Sequence, residues 1–117
     1  MGNSFLNIPK LLTSLPVSIV ERYDPETKTW EDVAYLNNSR TSLSLVTLPD
    51  GIYAIGGHDG YNYLNSVEKY DDTTNTWTFV GSLNYPRCRM SAVVSNDLRN
   101  IYVFGGYNNG ALNSVER

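Results

Sequence analysis

The chain has 117 residues, a net charge of −3 and a single cysteine, Cys88. The acidic balance excludes the basic patch that nucleic-acid binders carry, and one cysteine excludes an internal disulfide, which predicts a reducing, cytoplasmic setting rather than secretion. No apolar run approaches the roughly 20 residues of a bilayer-spanning helix, so no membrane partner is expected.

Residues 1–17 (MGNSFLNIPKLLTSLPV) form a non-repeat N-terminal segment. They have no basic start, and Pro9, Lys10 and Pro16 break the apolar stretch, so they do not read as a signal peptide. Leu6 stands where a myristoylation signal at Gly2 needs Ser or Thr. Residues 8–15 carry a weak helical pattern. From residue 18 the chain says nearly the same thing twice. VERYDPETKTW at 20–30 returns as VEKYDDTTNTW at 67–77, and Tyr23, Asp24, Trp30 and Arg40 recur 47 residues on as Tyr70, Asp71, Trp77 and Arg87. Gly56-Gly57 returns 49 residues on as Gly105-Gly106, and LNSVEK at 64–69 restarts as LNSVER at 112–117. Such self-similarity marks a stacked supersecondary unit that cannot bury its faces alone. Two repeats are assigned, about 18–66 and 67–114, with the start of a third at 115–117.

Within the unit, the runs 44–48 (SLVTL), 52–55 (IYAI), 91–94 (SAVV) and 101–104 (IYVF) are β-branched or aromatic and bounded by turn formers, which predicts short strands. Pro49-Asp50-Gly51 predicts a tight hairpin. Its counterpart, 96–100, is longer, which accounts for the growth of the offset from 47 to 49. An outer half follows: a strand near 67–70, a turn at 71–75 and a strand at 76–80, with Asp24-Pro25 making the earlier turn. Four strands per unit give an all-β meander. The inner strands are apolar on both faces, so each sheet needs cover on both sides, which radial packing supplies. The small residues Ser44, Ser91 and Ala92 are expected near a central channel, with Trp30 and Trp77 farther out. The glycine pairs are expected to admit a neighbouring aromatic against the backbone. No helix follows them, which excludes a phosphate loop.

The double glycine followed by a spaced tyrosine and tryptophan, GGHDGYNYLNSVEKYDDTTNTW at 56–77, resembles the kelch motif, and the resemblance covers residues 18–117. It implies kelch-type β-propeller blades, each a four-stranded antiparallel sheet and usually six to a ring. This chain is then a partial propeller of about two blades: an outer half (18–34), a whole blade (42–81) and an inner half (89–106). The flavour is that of the kelch-like proteins, which typically carry a BTB domain and act as substrate receptors of cullin-based ubiquitin ligases; such a role would belong to a parent chain. Some kelch proteins bind actin, and certain oxidases, lyases and epimerases use kelch blades as scaffold. Nothing here matches a known active-site set. Because the chain opens on an outer half and closes on an inner one, head-to-tail self-association is a further expectation, three copies supplying about six blades.

The loops at 58–63 and 107–110 are expected to open on the same face as those at 36–42 and 83–89. The resemblance makes this face a protein- or peptide-binding surface. It places His58, Asp59, Tyr61, Asn62, Tyr63, Tyr107, Asn108 and Asn109 on the first set and Arg40, Ser42, Arg87 and Arg89 on the second. Tyrosine offers area at small entropic cost and arginine a fork for carboxylates. Arg89 is the strongest candidate, because the resemblance implies a ligand-binding arginine at its position, where the earlier copy has Ser42. Arg40 and Arg87, common to both copies, read more readily as loop supports.

No catalysis, metal or cofactor is expected. His58 and Cys88 are too few for a zinc site. Flanking arginines favour a Cys88 thiolate with His58 as base, but an exposed or half-buried, redox-sensitive thiol without a catalytic role is the better reading. Asp71-Asp72 and Glu31-Asp32 lie by turns or on outer strands, where a solvated edge is the better reading than a glycosidase pair. Asn37-Asn38-Ser39 fits a glycosylation acceptor, a triplet too short to weigh without a signal peptide.

Overall fold

Opposed aromatics and hydrogen-bonding turn residues set the strand pairs of this chain. In the computed structural model, which describes residues 17–117, the strands are β1 (Val20–Asp24), β2 (Thr29–Val33), β3 (Ser44–Leu48), β4 (Gly51–Ile55), β5 (Ser66–Asp71), β6 (Thr76–Ser82), β7 (Ser91–Val94), β8 (Ile101–Phe104) and β9 (Val115–Glu116). They form three antiparallel sheets in chain order, β1-β2, β3-β4-β5-β6 and β7-β8-β9. The middle sheet is one complete four-stranded antiparallel blade, so the fold is an all-β partial propeller. No helix occurs among the described residues, and the weak helical pattern at 8–15 lies outside them.

The outer hairpin is built identically in both copies. Tyr23 faces Trp30 and Tyr70 faces Trp77 across the ladder, with ring centroids 5.1 Å apart in each. Cross-strand aromatic pairs of this kind are a main stabilising unit of a sheet. The connecting turn starts at an aspartate whose side chain accepts a backbone N–H two residues on, Asp24 from Glu26 and Asp71 from Thr73. It ends on a residue with positive φ, Lys28 or Asn75. The inner hairpins differ in length as expected. Leu48 and Gly51 pair directly across Pro49 and Asp50, whereas the later turn is spanned by the Ser95 hydroxyl, which accepts from the amides of Arg99 and Asn100.

The sheets converge along their first strands, where the Ser44 hydroxyl of β3 donates to the carbonyl of Met90 beside β7. Val46, Ile55, Leu83, Met90 and Val103 form the buried cluster between the second and third sheets. Each such side chain contributes about 1.5–3 kcal/mol when fully buried. The glycine pairs correct one expectation. A Cβ on Gly56 (φ +60) would lie 2.6 Å from the Arg87 carbonyl oxygen, and one on Gly106 (φ +101) would lie 2.6 Å from that of Cys88. Gly56 therefore admits the next unit's backbone and the Met90 side chain, and Gly106 admits the loop entering its own sheet; neither takes an aromatic ring.

Candidate functional site

Two buried arginines fix the loop rim. The Arg40 guanidinium donates to Glu68 from Nε and Nη2, at 3.1 and 2.9 Å, and to the carbonyls of Gly56 and Ser66 and the Ser66 hydroxyl. Glu68 accepts two more bonds, from the backbone amides of Asn37 and Asn38. Both side chains are wholly buried. The clasp recurs one repeat later. Arg87 donates to the carbonyls of Gly105 and Ser114, the Ser114 hydroxyl and Glu116, while Glu116 accepts from the amides of Asn84 and Tyr85. Each clasp ties the loop entering a sheet to the glycine turn and the third strand of that sheet, β5 or β9.

Arg40 is 3 % exposed and Arg87 0 % exposed. Their donors are spent inside the clasps, which agrees with the reading of both as loop supports rather than as part of the exposed surface. Burial of a guanidinium requires the carboxylate and carbonyls that surround it. Sequence reading named Arg40 and Arg87 but missed their acids. The signal was present, because Ser66 and Glu68 recur as Ser114 and Glu116 in the same LNSVE words.

Outside the clasps lies an exposed rim. Thr41 exchanges backbone hydrogen bonds with His58, and Cys88 with Tyr107, so the two sets of loops meet at each sheet. The His58 ring sits edge-on to Tyr63 at 4.8 Å, Tyr63 lies 6.2 Å from Tyr107, and the Arg89 guanidinium lies 5.8 Å from the Tyr107 ring centre. Arg89 is thereby held over an aromatic face, an attraction worth roughly 0.5–1 kcal/mol at an exposed site. Its backbone takes φ +55, as Ser42 does at +54, and its amide donates to the Ser42 carbonyl. No carboxylate pairs with Arg89 among the described residues. Tyr61, at the tip of the neighbouring loop, is 90 % exposed.

The remaining candidates divide between scaffold and surface. Asp59 accepts from the amides of Asn62 and Tyr61, and these bonds hold its carboxyl below the usual carboxylate range. The His58 ring accepts from the Gly60 amide. Asn108 donates to the Pro86 carbonyl and Asn109 to Asn108, so both brace the second loop. Asn62 and Ser42 are exposed. The structure thus brings His58, Tyr63, Tyr107 and Arg89 into one row, with Tyr61 projecting nearby and Arg40 and Arg87 beneath.

Cys88 is buried rather than exposed, with its Sγ 3.6 Å from the Tyr107 carbonyl. Burial pushes its thiol above the ordinary range despite the opposing charge of Arg89, and Arg87 is turned toward Ser114 and Glu116. Glu31 is engaged at the surface by Arg22 at 2.6 Å, and Asp71 by the Thr73 turn. No group of three or more metal-ligating side chains gathers among the described residues.

The kelch motif model matches residues 13–37 and 39–84, more than half of the chain, and this chain belongs to the kelch-repeat family. It is similar to Kelch-like protein 5 of Homo sapiens, 48 % identical over 56 residues that make up 48 % of this chain and 7 % of that protein. Kelch-like protein 1 of Mus musculus is 50 % identical over 41 % of this chain and 6 % of its own length. Kelch-like protein 4 of Homo sapiens is 46 % identical over 41 % and 7 %. The chain spans less than a tenth of the length of these curated relatives.

Proposed function

We propose that this chain is the part of a kelch propeller that recognises a protein or peptide segment on its loop rim, without catalysis of its own. The observation that carries the reading is Arg89, a cation with no carboxylate partner, laid against Tyr107 and flanked by Tyr63, His58 and the projecting Tyr61. Arginine and tyrosine are the residues in which binding energy concentrates at protein interfaces. The Arg40 and Arg87 clasps pre-organise the rim, so a ligand meets loops already ordered.

The kelch-like relatives extend the proposal to the parent protein. There the rim recruits a substrate to a cullin-type ubiquitin ligase assembled through other domains, in the reducing cytoplasm. Peptides selected from a display library on the 117-residue chain supply the test. Arg89→Ala should weaken the best peptide about 10- to 30-fold, or roughly 1.4–2 kcal/mol, and leave the melting temperature nearly unchanged. Undiminished affinity, or a melting point lowered by several degrees, would remove Arg89 from the recognition surface. Association of the parent chain with a cullin in cells tests the wider role, and its absence would confine the proposal to peptide recognition.

A further inference from the structure

Asn109-Gly110 is the only asparagine–glycine pair in the chain, and it stands on the second rim loop, two residues past Tyr107. Asparagine is a thermally labile side chain, because its carbonyl carbon, Cγ, lies within reach of the next residue's backbone nitrogen. In a folded protein three things hold that reaction back. The side chain is tied into the structure, the attacking amide is held in a hydrogen bond, or the following side chain blocks the approach.

None of the three protects Asn109. The residue is exposed. Its side chain donates to the neighbouring Asn108 Oδ1 at 3.3 Å, and its own oxygen accepts from no group among the described residues. The Gly110 amide donates to none of them either; only its carbonyl is used, accepting from the Asn108 amide at 3.0 Å. Gly110 has no side chain, and a Cβ built there would meet nothing within 4 Å. Asn108 and Asn37 differ on each count. They donate to the carbonyls of Pro86 and Trp77, at 2.8 and 3.0 Å, and each is followed by another asparagine rather than by glycine. Asp59-Gly60, in the earlier loop, offers the same neighbours, but the Asp59 carboxyl accepts from two amides and stays ionised. An ionised carboxylate is a poor electrophile.

The repeat places Asn109 where Gly60 stands, and both have positive φ, +58 and +101. Asparagine and aspartate are the side chains that enter this region most readily. The turn therefore accepts asparagine in place of glycine, and it also accepts the aspartate that loss of the amide would leave.

We propose that Asn109 is a site of spontaneous deamidation, which sets a carboxylate on the same loop as the Tyr107 ring that carries Arg89. The Gly110 nitrogen gives up its proton and bonds to Cγ of Asn109. The bond from Cγ to Nδ2 breaks, and Nδ2 leaves as ammonia with that proton. Water then opens the five-membered succinimide. Opening at Cγ leaves aspartate; opening at the backbone carbonyl leaves isoaspartate, with the main chain rerouted through the side chain. The consequence for binding rests on the recognition reading above: the new charge offers Arg89 an anion within the protein, and the rim loses affinity for its ligand as the protein ages.

Incubation of the folded 117-residue chain, followed by peptide mapping by mass spectrometry and enzymatic methylation of isoaspartate, tests the chemistry without any ligand. Conversion should concentrate at Asn109 and run faster at mildly alkaline than at mildly acidic pH, since the Gly110 nitrogen must lose a proton. Asn109→Gly, which restores the residue of the earlier copy, should abolish the isoaspartate signal. Conversion at Asn109 no faster than at Asn108 or Asn37 overturns the proposal. The effect on the rim is read separately with Asn109→Asp. It should weaken a display-selected peptide about two- to fivefold, the worth of one exposed ion pair, and the loss should shrink at high salt. Unchanged affinity in Asn109→Asp, where Arg89→Ala still weakens binding, overturns the effect on the rim and leaves the recognition reading standing. Unchanged affinity in both variants removes the recognition reading itself, while the mapping still decides the chemistry.

Discussion

Glu68→Gln removes the charge from a side chain that is wholly buried and accepts from Arg40 and from the amides of Asn37 and Asn38. The neutral amide keeps one acceptor oxygen, so it cannot serve all three partners. Its new NH2 group faces donors. Removing one member of a buried ion pair costs about 3–5 kcal/mol, because the other charge stays buried without its counterion. Arg40 keeps its bonds to the Gly56 and Ser66 carbonyls and the Ser66 hydroxyl, which places the loss near the lower end, about 3 kcal/mol. Urea unfolding followed by tryptophan fluorescence reads this directly, and small domains have only about 5–15 kcal/mol in all. The same change at Glu116 should cost less, since its side chain is 12 % exposed and water can reach the replaced carboxylate position. Arg40→Met combined with Glu68→Leu should recover much of the loss, as replacing a buried pair by apolar groups commonly does. A Glu68→Gln cost under about 1 kcal/mol would refute the argument, since that is the worth of an exposed pair.

Gly56→Ala forces a Cβ onto the Arg87 carbonyl at positive φ and should cost about 1–3 kcal/mol by thermal melting. Gly81→Ala meets open space and should be neutral or stabilising by about 0.5–1 kcal/mol. Trp77→Phe loses the indole bond to Ala34 and should destabilise the single chain by about 1 kcal/mol beyond the same change at Trp30. Cys88 should alkylate far more slowly than a free thiol at neutral pH, because burial raises its pKa; the raised value means that stability is full below the unfolded thiol pKa and falls as pH rises through the folded one. Asp59 runs the other way. Its lowered pKa stabilises the loop above the unfolded carboxylate range and is lost as pH falls through the folded value, so the Tyr61 and Asn62 amide signals should shift only in strong acid.

The fold was legible because the repeat exposes it: Tyr23 and Trp30 recur 47 residues on and the glycine pair 49, and the strands 44–48 and 101–104 fall where their β-branched runs lie. Strand ends were less so. β6 runs to Ser82 past its apolar stretch, because Ser66 and Val67 of β5 continue to pair with it through an irregularity in the ladder. The division of the site was legible in part, because Arg40 recurs as Arg87 whereas Arg89 stands where the earlier copy has Ser42; what was hidden is how Arg87 is held. Burial separates Arg87 from Arg89, and burial depends on Glu116, which lies 29 residues further along the chain. Cys88 escaped for the same cause: a flanking arginine activates a thiol only if its charge points that way, and Arg87 is spent on Ser114 and Glu116.

The central claim is that the exposed loops, held from beneath by the clasps, form the recognition surface. Hydrogen–deuterium exchange of the chain with and without a display-selected peptide tests it most directly. New protection confined to 58–63, 88–90 and 107–110 is the result expected. Protection on the outer hairpins at 20–33 and 66–82, with the loops unchanged, would contradict it.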